Sequence, residues 1–285
     1  MGAPVTAARV ILVDCPDRKG LIHAITGVLL AHGLNIDANQ EFVDCDAGHF
    51  FFRAEVSGGG GCDAAGLELE LARVLPDGAR VRLSVPGNRS VVVLATREPH
   101  CLGELLLLDS CGELPGTIAA VVGNHDDLRG LTERFDKPFH HVPSDGVSRE
   151  AHEQGLAAAI ERHRPDLVVL ARYMRILSDA FVARWAGRMV NIHHSFLPAF
   201  AGANPYRQAH ERGVKVIGAT AHIVTGELDE GPIIAQGVIP VDHTFSVKRM
   251  AQAGRDVEKL VLAKAVTLVL EDRVLLHGRR TVVFS

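Results

Sequence analysis

The sequence predicts an α/β protein in two parts: a ferredoxin-like βαββαβ unit, followed by a Rossmann-like unit built on a mostly parallel sheet. Three observations predict it. Between Arg9 and Pro86 the strand-like and helix-like stretches follow the split order βαββαβ. From Ser90 the chain switches to short apolar strands alternating with helical stretches, the grammar of a parallel sheet covered on both faces. Pro86-Gly87-Asn88 closes the first unit with residues that interrupt regular structure. The chain therefore divides into a tail (1–8), a front domain (9–86) and a second domain (87–285).

In the front domain Val10-Ile11-Leu12-Val13 is a short apolar strand and Asp14 to Gly20 a turn. Leu21, Ile22, Ile25, Val28 and Leu29 recur at three- and four-residue steps, which predicts a helix that Gly33 stops. Leu34 to Val43 and His49 to Val56 read as a hairpin closed by Asp44-Cys45-Asp46-Ala47-Gly48. Gly58 to Gly61 form a link, Ala64 to Val74 a second helix and Arg80 to Val85 a last strand. In the second domain strands are expected at Val91 to Ala95, Ile118 to Val122, Phe139 to Val142, Leu167 to Leu170 and Met189 to Ile192. Helical stretches lie near Leu102 to Leu107, Leu128 to Phe135, Arg149 to His163 and Ala180 to Trp185. Val214 to Val224 and Pro232 to Val238 are two longer strands, and Ser246 to Leu270 is a long amphipathic helix with Met250, Val257, Leu260, Val261 and Val269 on its apolar face.

Composition narrows the function. Among 285 residues, 30 basic and 34 acidic side chains leave a formal charge of −4, without the basic excess that nucleic-acid binding leaves in a sequence. No apolar run approaches the ~20 residues of a membrane span, and the first residues lack a signal-peptide pattern, so no membrane partner and a cytoplasmic location are expected. The five cysteines, Cys15, Cys45, Cys62, Cys101 and Cys111, are odd in number and scattered, which argues against a disulfide scaffold. Neither approach to the helical zinc motif succeeds, because Leu156 follows His152-Glu153 and Val214 follows His210-Glu211 where a second histidine is needed. No metal is expected. Nucleophile-elbow, P-loop and dinucleotide fingerprints are all missing, so acyl-enzyme and nicotinamide chemistry lose support.

Ligands of parallel sheets collect at the carboxyl ends of strands. The richest such stretch is Asn191-Ile192-His193-His194-Ser195-Phe196-Leu197-Pro198. Strand alternation sends the Asn191 carboxamide and the His193 imidazole into the same space. An isolated strand-end histidine is ordinarily a loop cap, and the acidic turn Thr225 to Pro232, with Asp229 in it, reads alone as a solvated hairpin. His222 lies on the strand before that turn.

Taken together, several strings resemble the formyltetrahydrofolate deformylases: Ala171-Arg172-Tyr173-Met174-Arg175-Ile176-Leu177-Ser178, Asn191 to Pro198, Gly202-Ala203-Asn204-Pro205-Tyr206-Arg207, Gly218-Ala219-Thr220-Ala221-His222 and Leu228-Asp229-Glu230-Gly231-Pro232. The resemblance implies hydrolysis of 10-formyltetrahydrofolate to formate and tetrahydrofolate, in the service of one-carbon metabolism and purine synthesis, with no cofactor beyond that folate substrate. It makes Asn191, His193 and Asp229 the catalytic residues. Asn191 and His193 would donate to the oxyanion, while Asp229 would orient water or His193 and accept a proton. It assigns Met174, Arg175, Ile176, Leu177, Phe196, Leu197, Pro198 and His222 to substrate binding. It likens the front unit to an ACT regulatory domain, in which Asp17 and Gly20 would serve an amino-acid effector, with a helix cap by Asp17 as the plain alternative. A homo-oligomer, dimer or tetramer, is expected.

The rival is a formyltransferase using the same folate and an amine acceptor. Glycinamide ribonucleotide formyltransferase has a Gly/Ser-rich phosphate loop after its first strand, whereas Arg97-Glu98-Pro99-His100-Cys101-Leu102-Gly103-Glu104-Leu105 has no glycine cluster and resembles the deformylase turn. Leu107 to Cys111 departs from the deformylase pattern, which bears on packing and regulation rather than on the reaction.

Overall fold

Phe50, Phe52, Ala54 and Val56 alternate along one strand and bury the same face against Leu21, Ile25, Val28 and Leu29 of one helix and Leu67 and Leu71 of another. That alternation builds the front unit of a computed structural model that describes residues 9–59, 63–85, 87, 89–198 and 205–285. The expected tail 1–8 lies outside these residues, as do Gly60, Gly61, Pro86, Asn88 and the string Gly202-Ala203-Asn204. The elements of the unit are β1 (Arg9–Pro16), α1 (Leu21–Ala31), β2 (Leu34–Asp44), β3 (His49–Gly58), α2 (Ala64–Val74) and β4 (Arg80–Ser84). They form an antiparallel sheet in the order β2-β3-β1-β4, as the βαββαβ pattern requires.

The chain ends differently from the division expected at 87. Glu271–Leu275 and Val282–Ser285 group with the front unit, whereas Leu276–Thr281 groups with the second. The reason is visible in the first strand, where Val10 to Val13 are all buried rather than alternating. Ile11 and Val13 face the helices, while Val10, Leu12 and Phe51 face Leu275 and Phe284. A four-residue apolar run needs cover on both faces of its sheet, and residues from the end of the chain supply the second cover.

The second unit contains β5 (Ser90–Ala95), α3 (Pro99–Ser110), β6 (Thr117–Gly123), α4 (Arg129–Glu133), β7 (Phe139–His141), α5 (Arg149–Glu161), β8 (Leu167–Ala171), α6 (Asp179–Ala183) and β9 (Met189–His193). α7 (Pro205–Glu211), β10 (Val216–Ile223), β11 (Ile233–Pro240) and α8 (Val247–Leu270) follow, and β12 (Val274–His277) and β13 (Arg280–Val283) form a terminal hairpin. Five strands run parallel in the order β9-β8-β5-β6-β7, and β10 and β11 extend the β9 edge antiparallel. Chain order reverses between β5 and β8, the position at which open α/β sheets form a ligand crevice. Two features escaped the sequence pattern: α7, too short for apolar periodicity, and the terminal hairpin, whose turn at Gly278 has φ 59.

Caps mark where the loops of the crevice begin. Ser178 Oγ accepts from Phe181 N–H at 3.2 Å to start α6, and Glu153 on α5 takes Ser178 N–H at 2.7 Å and the Ser178 hydroxyl as well. The loop 172–178 is thereby tied at its far end. Tyr173 ties it near its start, with its buried hydroxyl 2.7 Å from His152 Nε2.

Candidate active site

The register of β9 against β10 assembles the site. His222 pairs with Asn191 and Thr220 with His193 across an antiparallel ladder, so all four side chains share one face. Asn191 Nδ2–H donates to His222 Nε2 at 3.3 Å. His222 Nδ1 lies 2.9 Å from the Ile223 carbonyl, which can only accept, so Nδ1 carries the proton and Nε2 is the acceptor in the neutral ring. A bulge between Ala221 and His222 aims that ring, as bulges beside sites commonly do.

Asp229 arrives from the turn between β10 and β11. Its Oδ2 lies 3.1 Å from His193 Nδ1 and its Oδ1 lies 3.7 Å from His222 Nε2. Two backbone features hold it there. Asp229 has φ 56, a left-handed conformation that aspartate tolerates better than most residues. Gly231 passes so close to β10 that a Cβ would fall 1.7 Å from the Ile223 oxygen, so no side chain is possible at that position. The His193 hydrogen bond first, then the nearby His222 ring, holds the Asp229 carboxyl well below the usual carboxylate range against the opposing effect of burial.

With Nδ1 engaged, His193 turns a buried Nε2 with no hydrogen-bond partner into the site. That nitrogen is a base when the ring is neutral and a donor when it is protonated. One proton of the Asn191 amide remains free beside the His222 bond. An amide donor and an imidazole nitrogen thus converge, with an ionised carboxylate behind the imidazole. The arrangement can stabilise charge developing on a carbonyl oxygen and move a proton.

The other sequence-predicted residues separate into two kinds. Met174 and Ile176 are 55% and 65% exposed, and Arg175, Phe196 and Pro198 are also exposed, on the loops after β8 and β9. Met174 N–H donates to Thr96 Oγ1 at 3.0 Å. Leu177 packs against the core, and Leu197 is buried in the wall. Thr220 Oγ1 accepts from Leu197 N–H at 3.1 Å and donates to the Ser195 carbonyl at 3.0 Å, while Gln236 Nε2 donates to the Leu197 carbonyl at 3.1 Å. In the front unit Asp17 is exposed and does not cap α1; the N-cap is Gly20, with φ 90 and no side-chain bond. A Cβ on Gly20 would meet nothing within 4 Å, so left-handed backbone rather than close approach explains this glycine.

The Formyl transferase family matches residues 89–266 and the ACT domain family residues 9–61. Over 275 residues, 96% of this chain and 98% of the relative, the chain is 52% identical to formyltetrahydrofolate deformylase of Escherichia coli (strain K12). The chain belongs to the formyltetrahydrofolate deformylase family. A solved formyltetrahydrofolate deformylase from Pseudomonas syringae pv. tomato matches it with a TM-score of 0.93 and 41% identity, over 99% of this chain and 96% of that one. Glycinamide ribonucleotide transformylase 1 from Symbiobacterium toebii matches with a TM-score of 0.66 and 34% identity, over 70% of this chain and 95% of that one. The front unit is accordingly an ACT domain and the second a formyltransferase-type domain.

In this member of the deformylase family a second polar cluster lies at the carboxyl end of the sheet. Glu258 on α8 is 0% exposed, takes a hydrogen bond from the Tyr206 hydroxyl at 2.6 Å, and lies 2.8 Å from His100 Nε2 and 3.4 Å from Arg172 Nε. Burial pushes the Glu258 carboxyl up, yet His100, Arg172 and Tyr206 together bring it below the usual range. His194 lies between the two clusters, its ring tilted 5.1 Å from the His193 ring and 6.3 Å from that of Tyr206. Burial first, then the Arg172 charge, pushes its pKa down to about 4. The sequence carries one trace of this cluster: Glu258 interrupts the apolar stripe of α8 between Val257 and Val261. Among the described residues His100, Cys101 and Glu258 place ligand atoms within 4.8 Å of one another. The Arg172 guanidinium occupies the same neighbourhood, and burial, then Glu258, pushes the Cys101 thiol far up, so a cation meets a fixed positive charge and a protonated thiol.

Proposed function

We propose that this protein hydrolyses 10-formyltetrahydrofolate to formate and tetrahydrofolate, with water as acceptor and no cofactor beyond the folate. The observation that carries this reading is the convergence of Asn191, His193 and Asp229, which leaves His193 Nε2 buried and unpartnered at a sheet end. Asn191 Nδ2–H donates to the formyl oxygen as it gains charge. His193 Nε2 takes a proton from the attacking water and returns one to the departing N10. Asp229 is so strongly held in its ionised form that it orients and stabilises the His193 ring rather than accepting the proton itself. This differs from the direct proton acceptor that residue types alone suggest. His222, fixed by Ile223 and Asn191, positions the amide.

Exposed Met174, Ile176 and Phe196 give an apolar wall for the pterin, and the backbone of 174–177 supplies donors and acceptors for its edge. Arg175 is exposed on the same loop, suited to a folate carboxylate, while Leu197 shapes the wall from behind and Pro198 ends it. At the ACT domain, Asp17 and the exposed turn to Gly20 suit a small amino-acid effector, and we take the working assembly to be a homo-oligomer in the cytoplasm. The formate supplied serves purine synthesis and balances one-carbon folate pools.

The test is formate release from 10-formyltetrahydrofolate, measured with and without an amine. Release independent of the amine supports hydrolysis; formyl transfer without formate defeats it. Asp229→Asn is expected to keep folate binding while kcat falls by about 10² to 10³, and near-normal turnover in that variant would remove Asp229 from the mechanism.

A further inference from the structure

Open α/β sheets take ligands in the crevice where strand order reverses, here between β5 and β8, and in this protein the segments after those two strands carry His100 and Arg172, both in contact with Glu258. Leu170 on β8 pairs with Asn191 on β9, so Arg172, two residues on, emerges level with His193 on the neighbouring strand. Ala95 pairs with Ala171, so the turn leading to His100 emerges on the other side of Arg172. Arg172 is also near enough to His194 for its charge, second to burial, to help push that ring's pKa down, and the His194 ring lies 5.1 Å from the His193 ring, so Arg172 borders the reacting centre through His194.

Its presence there is costly in three ways. Arg172 has φ 60, a conformation that is an outlier for a long side chain. Its Nε and Nη1 are buried without a hydrogen-bond partner, although Nε lies 3.4 Å from Glu258 Oε2. The Glu258 carboxylate that faces it is 0% exposed. Tyr206, which donates to that carboxylate, is seated against Gly254, where a Cβ would fall 2.0 Å from the Tyr206 oxygen. A cluster kept only for stability is better made from apolar side chains of the same volume, and strained, incompletely satisfied groups concentrate where function requires them.

We infer that Arg172, held by Glu258, His100 and Tyr206, is the specificity determinant that closes the acceptor side of the site, so that water alone reaches the formyl carbon. The inference rests on the hydrolytic reading above. With water, a carbon–oxygen bond forms, the carbon–N10 bond breaks, one water proton passes to N10, and the second leaves as formic acid ionises to formate. With a primary amine, a carbon–nitrogen bond forms, the same bond breaks, and the amine proton passes to N10, giving a formamide and tetrahydrofolate. The triad serves both reactions equally; free volume beside His193 separates them. A transformylase of the same fold shows that the scaffold itself does not forbid an amine acceptor.

Arg172→Gly opens that volume at a position whose backbone already suits glycine. The purified variant and the unaltered protein are each given 10-formyltetrahydrofolate with glycinamide or hydroxylamine, and formylated amine and formate are quantified together by mass spectrometry. The ratio of formylated amine to formate is expected to rise about tenfold or more in Arg172→Gly. A folded Arg172→Gly variant that releases formate with the ratio of the unaltered protein overturns the inference. Arg172→Asn, also short and tolerant of left-handed backbone, gives the same reading if the glycine variant does not fold, and loss of folding in both marks Arg172 as structural and overturns the inference too. Absence of formate from the unaltered protein overturns the hydrolytic reading and this inference with it, whereas formate with an unmoved ratio overturns the inference alone.

Discussion

Two arginines, the buried Arg53 of the first unit and the half-buried Arg172 of the second, look alike in the sequence and differ in what they bond. Arg53 on β3 donates from Nε to the Asp272 carbonyl at 3.0 Å, from Nη2 to the Glu271 carbonyl at 2.9 Å and from Nη1 to Glu55 at 2.9 Å. Arg172 keeps two nitrogens without a hydrogen-bond partner, although its Nε lies 3.4 Å from Glu258. The same contrast separates two left-handed aspartates: Asp272, φ 55, is locked by Arg82 and Ser84, whereas Asp229, φ 56, orients a histidine whose other nitrogen is free. A buried charge with its hydrogen bonds complete holds the fold together. One left incomplete at the carboxyl end of a parallel sheet is available for chemistry or selectivity.

If this contrast is right, Arg53→Met harms the fold and not the chemistry. Two carbonyls near the chain end lose their charged donor, so stability is expected to fall by about 3 kcal/mol in urea unfolding, with kcat per folded molecule unchanged. A lower kcat at full stability would break the comparison.

Acid sharpens it next. The His194 ring has a pKa of about 4 against an ordinary 6.5, so between those values the unfolded chain binds more protons than the folded one. Stability linked to this ring is fully present above 6.5 and is lost as pH falls toward 4, by roughly 2 kcal/mol at about pH 4.5. Melts of His194→Gln are expected to show a flatter acid limb than those of the unaltered protein; an identical slope would remove His194 as the cause.

The smallest effect is expected at the ACT turn. Gly20→Ala meets open space but keeps φ 90, so it should destabilise by about 1 kcal/mol and leave the basal kcat as it was. A fall in basal kcat would show that the turn is coupled to turnover without any effector.

Much of the fold was legible. Apolar steps in Leu21 to Leu29 became a helix, and His49 to Val56 became a hairpin strand, as expected. Of the site, the placement of Asn191 and His193 on one face followed from strand alternation alone. His222 was visible only as a residue near the acidic turn, because nothing local sets its register against Asn191. Arg172 was one member of a motif, and its burial depends on Glu258, which is far away in the chain.

By itself the sequence determined the succession of strands and helices and the strand end that carries Asn191 and His193, since backbone preference and apolar periodicity act between near neighbours. Only the tertiary structure decided that His222 stands opposite Asn191, that Asp229 backs His193, that Arg172 meets Glu258 and that the chain end covers the ACT sheet. Those outcomes turn on pairing register and burial between residues distant in sequence, where the desolvation of each charge is set by its surroundings rather than by its own identity.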